Sequence, residues 1–243
     1  MKITKKKEMI RHLADHGISL GCSVVFRKNE EEWIKGRFGI GGSDASKCLG
    51  IHGSQAELWA EKLGYIEHPD ISGLEVVKYG KECEKYVAGI YELDHPTTLL
   101  LRYPYWSFSN KEHPFLQYTP DGLLIDEKNR LGILEIKTTT IRKSEDWDNW
   151  KNDGDICVPD NYFCQVMHGT NVIQEAQFVD LIALIKHHNG STLRTFHWEL
   201  SDQEVARQRQ LILDYTLDFW KCVEKKKYPK STLLLRPDLA MAG

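Results

Sequence analysis

Thr119-Pro120-Asp121-Gly122-Leu123-Leu124-Ile125-Asp126, then Glu127-Lys128-Asn129-Arg130, then Leu131-Gly132-Ile133-Leu134-Glu135-Ile136-Lys137, is the stretch that decides the fold. Two apolar runs flank a polar reverse-turn signal, which is the pattern of a β-hairpin. Residues two apart in a strand share a face. Glu135 and Lys137 therefore point one way, Ile136 points into the core, and pairing across the hairpin brings Asp121 alongside them. A bare Glu-x-Lys is usually a solvated strand edge. Here the pair ends an apolar run, where half-burying charge needs a reason, and Pro-Asp-Gly opens the preceding strand at hairpin distance.

Two carboxylates and an ammonium at one sheet edge suit metal-dependent phosphodiester hydrolysis. Mg²⁺ is a hard cation that takes one or two carboxylates, with phosphate oxygens and waters completing its shell. Asp121 and Glu135 meet that need, the carbonyl of Ile136 is a further candidate ligand, and Mn²⁺ is the expected substitute. The Lys137 ammonium is placed to orient the attacking water or to stabilise charge on the phosphoryl oxygens, with no covalent intermediate.

At these residues the chain resembles the lambda-exonuclease/YqaJ-type viral recombinases of the PD-(D/E)xK nuclease superfamily. Four blocks in order carry the resemblance across about residues 33–185. Arg37-Phe38-Gly39-Ile40-Gly41-Gly42-Ser43-Asp44-Ala45 is similar to a block whose Arg and Ser belong to a pocket for the DNA 5′-phosphate. Ser43 is preferred to Asp44 there, because a hydroxyl donates to phosphate and a carboxylate repels it. Tyr79-Gly80-Lys81-Glu82-Cys83-Glu84 resembles a helix whose acidic residue, Glu84 here, lies beside the metal. The hairpin motif is the third block. Tyr162-Phe163-Cys164-Gln165-Val166 resembles a helix whose Gln borders the catalytic centre. The family often continues with a second Gln, where this chain has Met167-His168.

The resemblance implies a restriction-endonuclease-like α/β (α+β) core, a central mixed sheet flanked by helices. It also implies a Mg²⁺-dependent exonuclease acting on double-stranded DNA ends in the 5′-to-3′ direction. A ring-shaped homotrimer and a single-strand annealing protein are the implied partners. A restriction- or repair-type endonuclease, or an inactive DNA-end-binding module, are the alternatives. Taken alone, Ser43 is an ordinary helix cap, Glu84 a solvated helix charge and Gln165 a surface amide.

Composition agrees with a single intracellular nuclease domain over residues 1–243, with an N-terminal helical region and a C-terminal helix. At 41% hydrophobic content the chain can bury a sizeable core. No apolar run approaches the ~20 residues that cross a bilayer, so no membrane is expected. The lysine-rich start lacks the apolar segment of a signal peptide, which points to the cytoplasm of a bacterial or phage-infected host cell. Six scattered cysteines with no Cys-x-x-Cys read as reduced and structural. His187-His188 read as turn residues, not a zinc site. The formal net charge of −3 leaves room for a locally positive groove built from Arg37, Lys137, Arg142, Lys143 and Lys225–Lys227. Trp147 and Trp150 are expected to pin a loop to the core, with base stacking the alternative.

Periodicity predicts helices near 4–15, 29–37, 43–49, 54–63, 74–93, 160–169 and 202–226. In the 74–93 helix, Leu74, Val77, Tyr86-Val87 and Ile90-Tyr91 form the expected apolar stripe. Strands are predicted near 98–102, 115–118, 121–126 and 131–138, with a second hairpin of 179–186 and 193–200 turning at Asn189-Gly190.

Overall fold

The computed structural model describes residues 1–67, 71, 73–152 and 155–229. In chain order these form α1 (Lys6–Asp15), β1 (Ser23–Phe26), α2 (Glu30–Lys35), a 3₁₀ turn (Gly42–Asp44) leading into α3 (Ala45–Cys48), α4 (Gln55–Lys62) and α5 (Glu75–Asp94). There follow β2 (Leu99–Leu101), β3 (Trp106–Ser109), β4 (Gln117–Tyr118), β5 (Gly122–Ile125), β6 (Leu131–Thr140) and a 3₁₀ segment (Ser144–Trp150). The remainder is β7 (Lys151–Asn152), β8 (Asp155–Ile156), α6 (Asp160–Val172), β9 (Phe178–His187), β10 (Gly190–Glu199) and α7 (Gln203–Glu224).

The main sheet has five strands in the order β10-β9-β6-β5-β2. β6 and β9 run parallel, and every other neighbouring pair is antiparallel. It is the mixed sheet flanked by helices that the resemblance implied. The decisive hairpin closes as expected, with Gly122 opposite Leu134 and Ile125 opposite Leu131. Its turn is built by Asp126, whose Oδ1 accepts the N–H groups of Lys128 and Arg130, and by Asn129 at φ 59°, a left-handed conformation that Asn tolerates better than most residues.

Both faces of β6 are covered, so its burial is continuous rather than alternating. Leu131 and Ile133 join the larger core beneath α6 and α7, with Phe163, Val166, Ile212 and Phe219. Leu134 and Ile136 face the other way, against Val87, Ala88 and Tyr91 of α5. Glu135 and Lys137 thus share the α6 side and Ile136 lies on the α5 side.

Several predicted features differ. α5 buries Val87, Ala88 and Tyr91, whereas Leu74, Tyr86 and Ile90 of the expected stripe are exposed. The sheet covers only the C-terminal half of one helix face, so the apolar residues a quarter-turn away meet solvent. The 43–49 helix is a 3₁₀ turn followed by four helical residues. In the second hairpin His187 pairs with Gly190, so His188-Asn189 form the turn. β1 and β3 were not foreseen; β3 pairs with β1 on one side and β4 on the other in a three-stranded antiparallel sheet. The loop that carries the two tryptophans is pinned, since Trp150 is buried and Trp147 packs against the core.

Gly132 marks a tight crossing, because a Cβ there would lie 2.3 Å from the ring of Phe178 on neighbouring β9. Gly132→Ala is expected to cost about 1–3 kcal/mol through overpacking. Urea unfolding should show a lowered midpoint at unchanged slope.

Candidate active site

The five residues expected at the centre come together where β5 begins. Asp121 precedes the first rung of the β5–β6 ladder, and its Oδ2 accepts the Ile136 N–H at 2.6 Å. Glu135 is 3% exposed. Its Oε1 accepts Lys137 Nζ at 2.8 Å and Gln165 Nε2 at 2.5 Å, while its Oε2 accepts the Tyr118 hydroxyl at 2.5 Å. Gln165 closes the ring by accepting from Lys137 Nζ at 2.8 Å through its own oxygen. Glu84 arrives from α5 and pairs with Arg102, whose Nε also donates to the Asp121 carbonyl at 3.0 Å. A cleft of about 720 Å³ opens over this cluster and is lined by Glu84, Asp121, Glu135 and Gln165 together with Arg37 and Ser43.

Charge is crowded here, and the proton affinities record it. Burial, then the neighbouring Glu135 and Glu84 carboxylates, hold the Asp121 carboxyl well above the ordinary carboxylate range, against the pull of Lys137 and the Ile136 N–H. Glu84 is raised by burial and by Glu135, with Arg102 opposing. For Lys137 burial acts to lower the ammonium, but Glu135 and Asp121 outweigh it and raise the pKa, so the group stays charged. Such clustering of perturbed groups in a cleft is typical of functional sites.

The phosphate-pocket candidates line the same cleft. Arg37 and Ser43 are exposed, and the Arg37 guanidinium lies over the Trp33 ring at 5.0 Å. Asp44 is buried instead, accepting from Gly41 N at 3.1 Å and pairing with Lys62 at 2.9 Å. The segment is aligned by Gln117, whose Oε1 accepts the Phe38 and Gly39 N–H groups, and by a parallel bridge from Ile40 to Leu116. His168 stands where the family's second Gln is usual; it is buried and bonds the Gln117 carbonyl at 3.1 Å, so it braces β4.

The basic lining differs from expectation. Of the residues named for a positive groove, Arg37 alone lines the cleft; its other cations are Lys2, Lys62, Lys81, Lys85 and Arg102. Lys81 and Lys85 stand four residues apart on α5, on one helix face, which was a readable signal. Arg102 and Tyr118 had none, because their partners are distant in sequence. No group of three His, Cys, Asp or Glu side chains stands ready-made around a metal position among the described residues, and His187 and His188 form no such group.

The YqaJ-like viral recombinase domain matches residues 32–174. The protein YqaJ of Bacillus subtilis (strain 168) is 30% identical over 215 residues, which make up 81% of this chain and 58% of that protein. The chain thus spans little more than half of that relative's length. The alkaline exonuclease LHK-Exo of Laribacter hongkongensis superimposes with a TM-score of 0.53 at 14% identity, over 81% of this chain and 96% of that one. Its complex with dAMP matches equally well. At that identity the likeness is one of fold.

The raised Asp121 carboxyl sets a sign for stability. A carboxylate raised in the folded state costs stability while ionised, and the cost is relieved as pH falls through the folded value toward the ordinary one. Asp121→Asn keeps an oxygen for the Ile136 N–H and removes the charge. In metal-free protein at neutral pH it is expected to melt higher, each 1 kcal/mol gained being worth about 2–4 °C at this length. The gain should shrink on mild acidification, read by calorimetry from pH 8 downward.

Proposed function

The chain belongs to the YqaJ-like viral recombinase family, and from that premise we propose that it is a Mg²⁺-dependent deoxyribonuclease. In this reading it hydrolyses one strand of linear duplex DNA from the 5′ end and leaves a 3′ single strand for recombination by strand annealing. One observation carries it: Glu84, Asp121, Glu135 and Gln165 line the same cleft as Arg37 and Ser43, and Lys137 is bonded to both Glu135 and Gln165.

The donor set fits a divalent cation. Glu84, Asp121 and Glu135 are hard oxygen donors; burial first, and then repulsion between them, raises Asp121 and Glu84, and a bound cation would relieve both. In an extended strand the N–H and C=O of one residue face the same edge. Ile136 donates toward Asp121, which supports its carbonyl as a further ligand. Bound among these groups, Mg²⁺, or Mn²⁺ in its place, would supply Lewis acidity and an activated water.

The chain's own side chains supply the rest. Lys137 is held charged by Glu135 and oriented by Gln165, so it serves as a fixed positive donor toward phosphoryl oxygen rather than as a base. Arg37 offers a planar fork and Ser43 a hydroxyl to the 5′-phosphate. That pocket gives the enzyme its polarity by accepting only one kind of end. A ring-shaped homotrimer around DNA, a single-strand annealing partner and a cytoplasmic location belong to the same proposal. No helix among the described residues is long and apolar enough to cross a membrane.

End-labelled linear duplex should be degraded in the presence of Mg²⁺ and preserved in EDTA, while covalently closed circular DNA survives both; cutting of the circle would favour an endonuclease instead. Asp121→Ala, Glu135→Ala and Lys137→Ala should each lower the cleavage rate by at least about 10³-fold, a loss of about 4 kcal/mol in transition-state stabilisation, with duplex-end binding largely kept. Arg37→Ala should erase the preference for 5′-phosphorylated over 5′-hydroxyl ends, measured as the ratio of kcat/KM on the two substrates.

A further inference from the structure

Lys225, Lys226 and Lys227 do not line the cleft, so the proposed cleavage leaves them without a task. They follow α7, and all three are exposed and enter no ion pair among the described residues. Beside them stand the half-buried Trp59 and two tyrosines, Tyr65 and Tyr228, that are 62% and 59% exposed. We infer that these six residues form a second nucleic-acid site, which holds single-stranded DNA outside the cleft. The choice of DNA rests on the nuclease reading given above; the site itself does not.

Two helix ends bring the aromatic and basic residues together. α4 stops with Gly64 at φ 73°, the Gly64 N–H donating to the Glu61 carbonyl at 2.9 Å and the Tyr65 N–H to the Ala60 carbonyl at 2.8 Å. α7 stops in the same way, with the Lys226 N–H on the Val223 carbonyl at 3.0 Å and the Lys227 N–H on the Cys222 carbonyl at 2.9 Å. This left-handed stop costs glycine least, yet in α7 a lysine holds it at φ 49°. Each turn sends a tyrosine edge-on toward Trp59, with ring centroids 5.7 Å away for Tyr65 and 5.6 Å for Tyr228. Trp59 is itself pinned, because its Nε1 donates to the Cys222 carbonyl at 3.2 Å.

Lysines at a helix C-terminus are ordinary, since they favour the helix dipole. Two exposed tyrosines held on a pinned tryptophan beside them are not explained that way. Unpaired bases stack on aromatic side chains, and the phosphates between them attract ammonium groups. A duplex keeps its bases stacked on one another, so exposed rings outside a cleft select the single strand. Glu224, the carboxylate next to the lysines in sequence, already accepts from Trp220 Nε1 at 3.0 Å. α4 joins this surface to the cleft: Lys62 lines the cleft, and Trp59 lies three residues before it, a neighbour on the helix surface.

The test follows the fluorescence anisotropy of a labelled oligo(dT) of about 16 nucleotides titrated with the whole purified chain. EDTA prevents cleavage, and a 5′-hydroxyl end removes the phosphate that the cleft's pocket would hold. Tyr65→Ala and Tyr228→Ala should each weaken binding about tenfold, whereas Tyr65→Phe and Tyr228→Phe should bind as wild type does. Lys225→Gln, Lys226→Gln and Lys227→Gln combined should make the fall of log affinity with log salt shallower by about 2; this variant carries the test if circular dichroism shows an alanine variant unfolded. Unchanged affinity and salt slope would overturn the site, and if the oligomer dissociated at the same time the surface would belong to a second copy of the chain. An equal loss on duplex of the same length would overturn the single-strand selection. Should the variants lose oligo(dT) while the wild type fails to degrade linear duplex in Mg²⁺, this site stands and the cleavage reading falls.

Discussion

The bond from the Ile136 N–H to Asp121 Oδ2 is the constraint on which the site depends. Pro120 has no N–H, and backbone pairing between β5 and β6 ends at Gly122 and Leu134. Beyond that rung Ile136 would point an unpaired donor past the start of β5, and a buried unpaired N–H is costly. The Asp121 side chain substitutes for the missing strand. One carboxylate thereby completes the ladder and is locked beside Glu135, and Arg102 fixes its backbone from the β2 side. Removing that carboxylate would disturb the sheet edge as well as the chemistry.

What the ladder assembles is electrostatically unfavourable. Three carboxylates converge, and the cations that reach them, Lys137 and Arg102, leave Asp121 and Glu84 with raised proton affinity. The surrounding hydrophobic layers resist relaxation, because Ile133 on one face of β6 and Leu134 on the other are fully buried. A rigid two-sided core can hold like charges together at a separation that a solvated loop would not maintain. The like charges are therefore held together at the cleft by the packing around them.

The hairpin and its three polar residues were legible because every relevant signal is local: a turn chemistry that Asp126 and Asn129 satisfy, two apolar runs, and strand alternation. Ile136, Glu135 and Lys137 point where a period of two requires. Glu84 was legible only as part of a recognised block, since a helix charge has no local mark of its destination. Arg102 and Tyr118 escaped entirely; one reaches Glu84 across 18 residues and the other Glu135 across 17. β1 escaped because it is four residues long with a single buried position. The α5 stripe misled because periodicity reports that a face is apolar, and the breadth of the sheet beneath decides how much of it is covered.

Charge on the cleft walls bears on how tightly a polyanion can be held. Lys62 pairs with Asp44, Lys81 with Glu30, Lys85 with Glu82 and Arg102 with Glu84. A phosphate that recruits one of these cations must compete with a carboxylate already in place, so each contact contributes less than it would from an unengaged lysine. The exposed pairs, at Lys81 and Lys85, are the weak ones and yield readily, whereas Lys62 is half-buried against the buried Asp44 and stays with it. Binding through exchangeable pairs gives modest affinity per phosphate, with the steep salt dependence of any backbone contact. A net charge of −3 is therefore compatible with the nucleic-acid substrate proposed above, because cations engaged in exchangeable pairs remain available to phosphate.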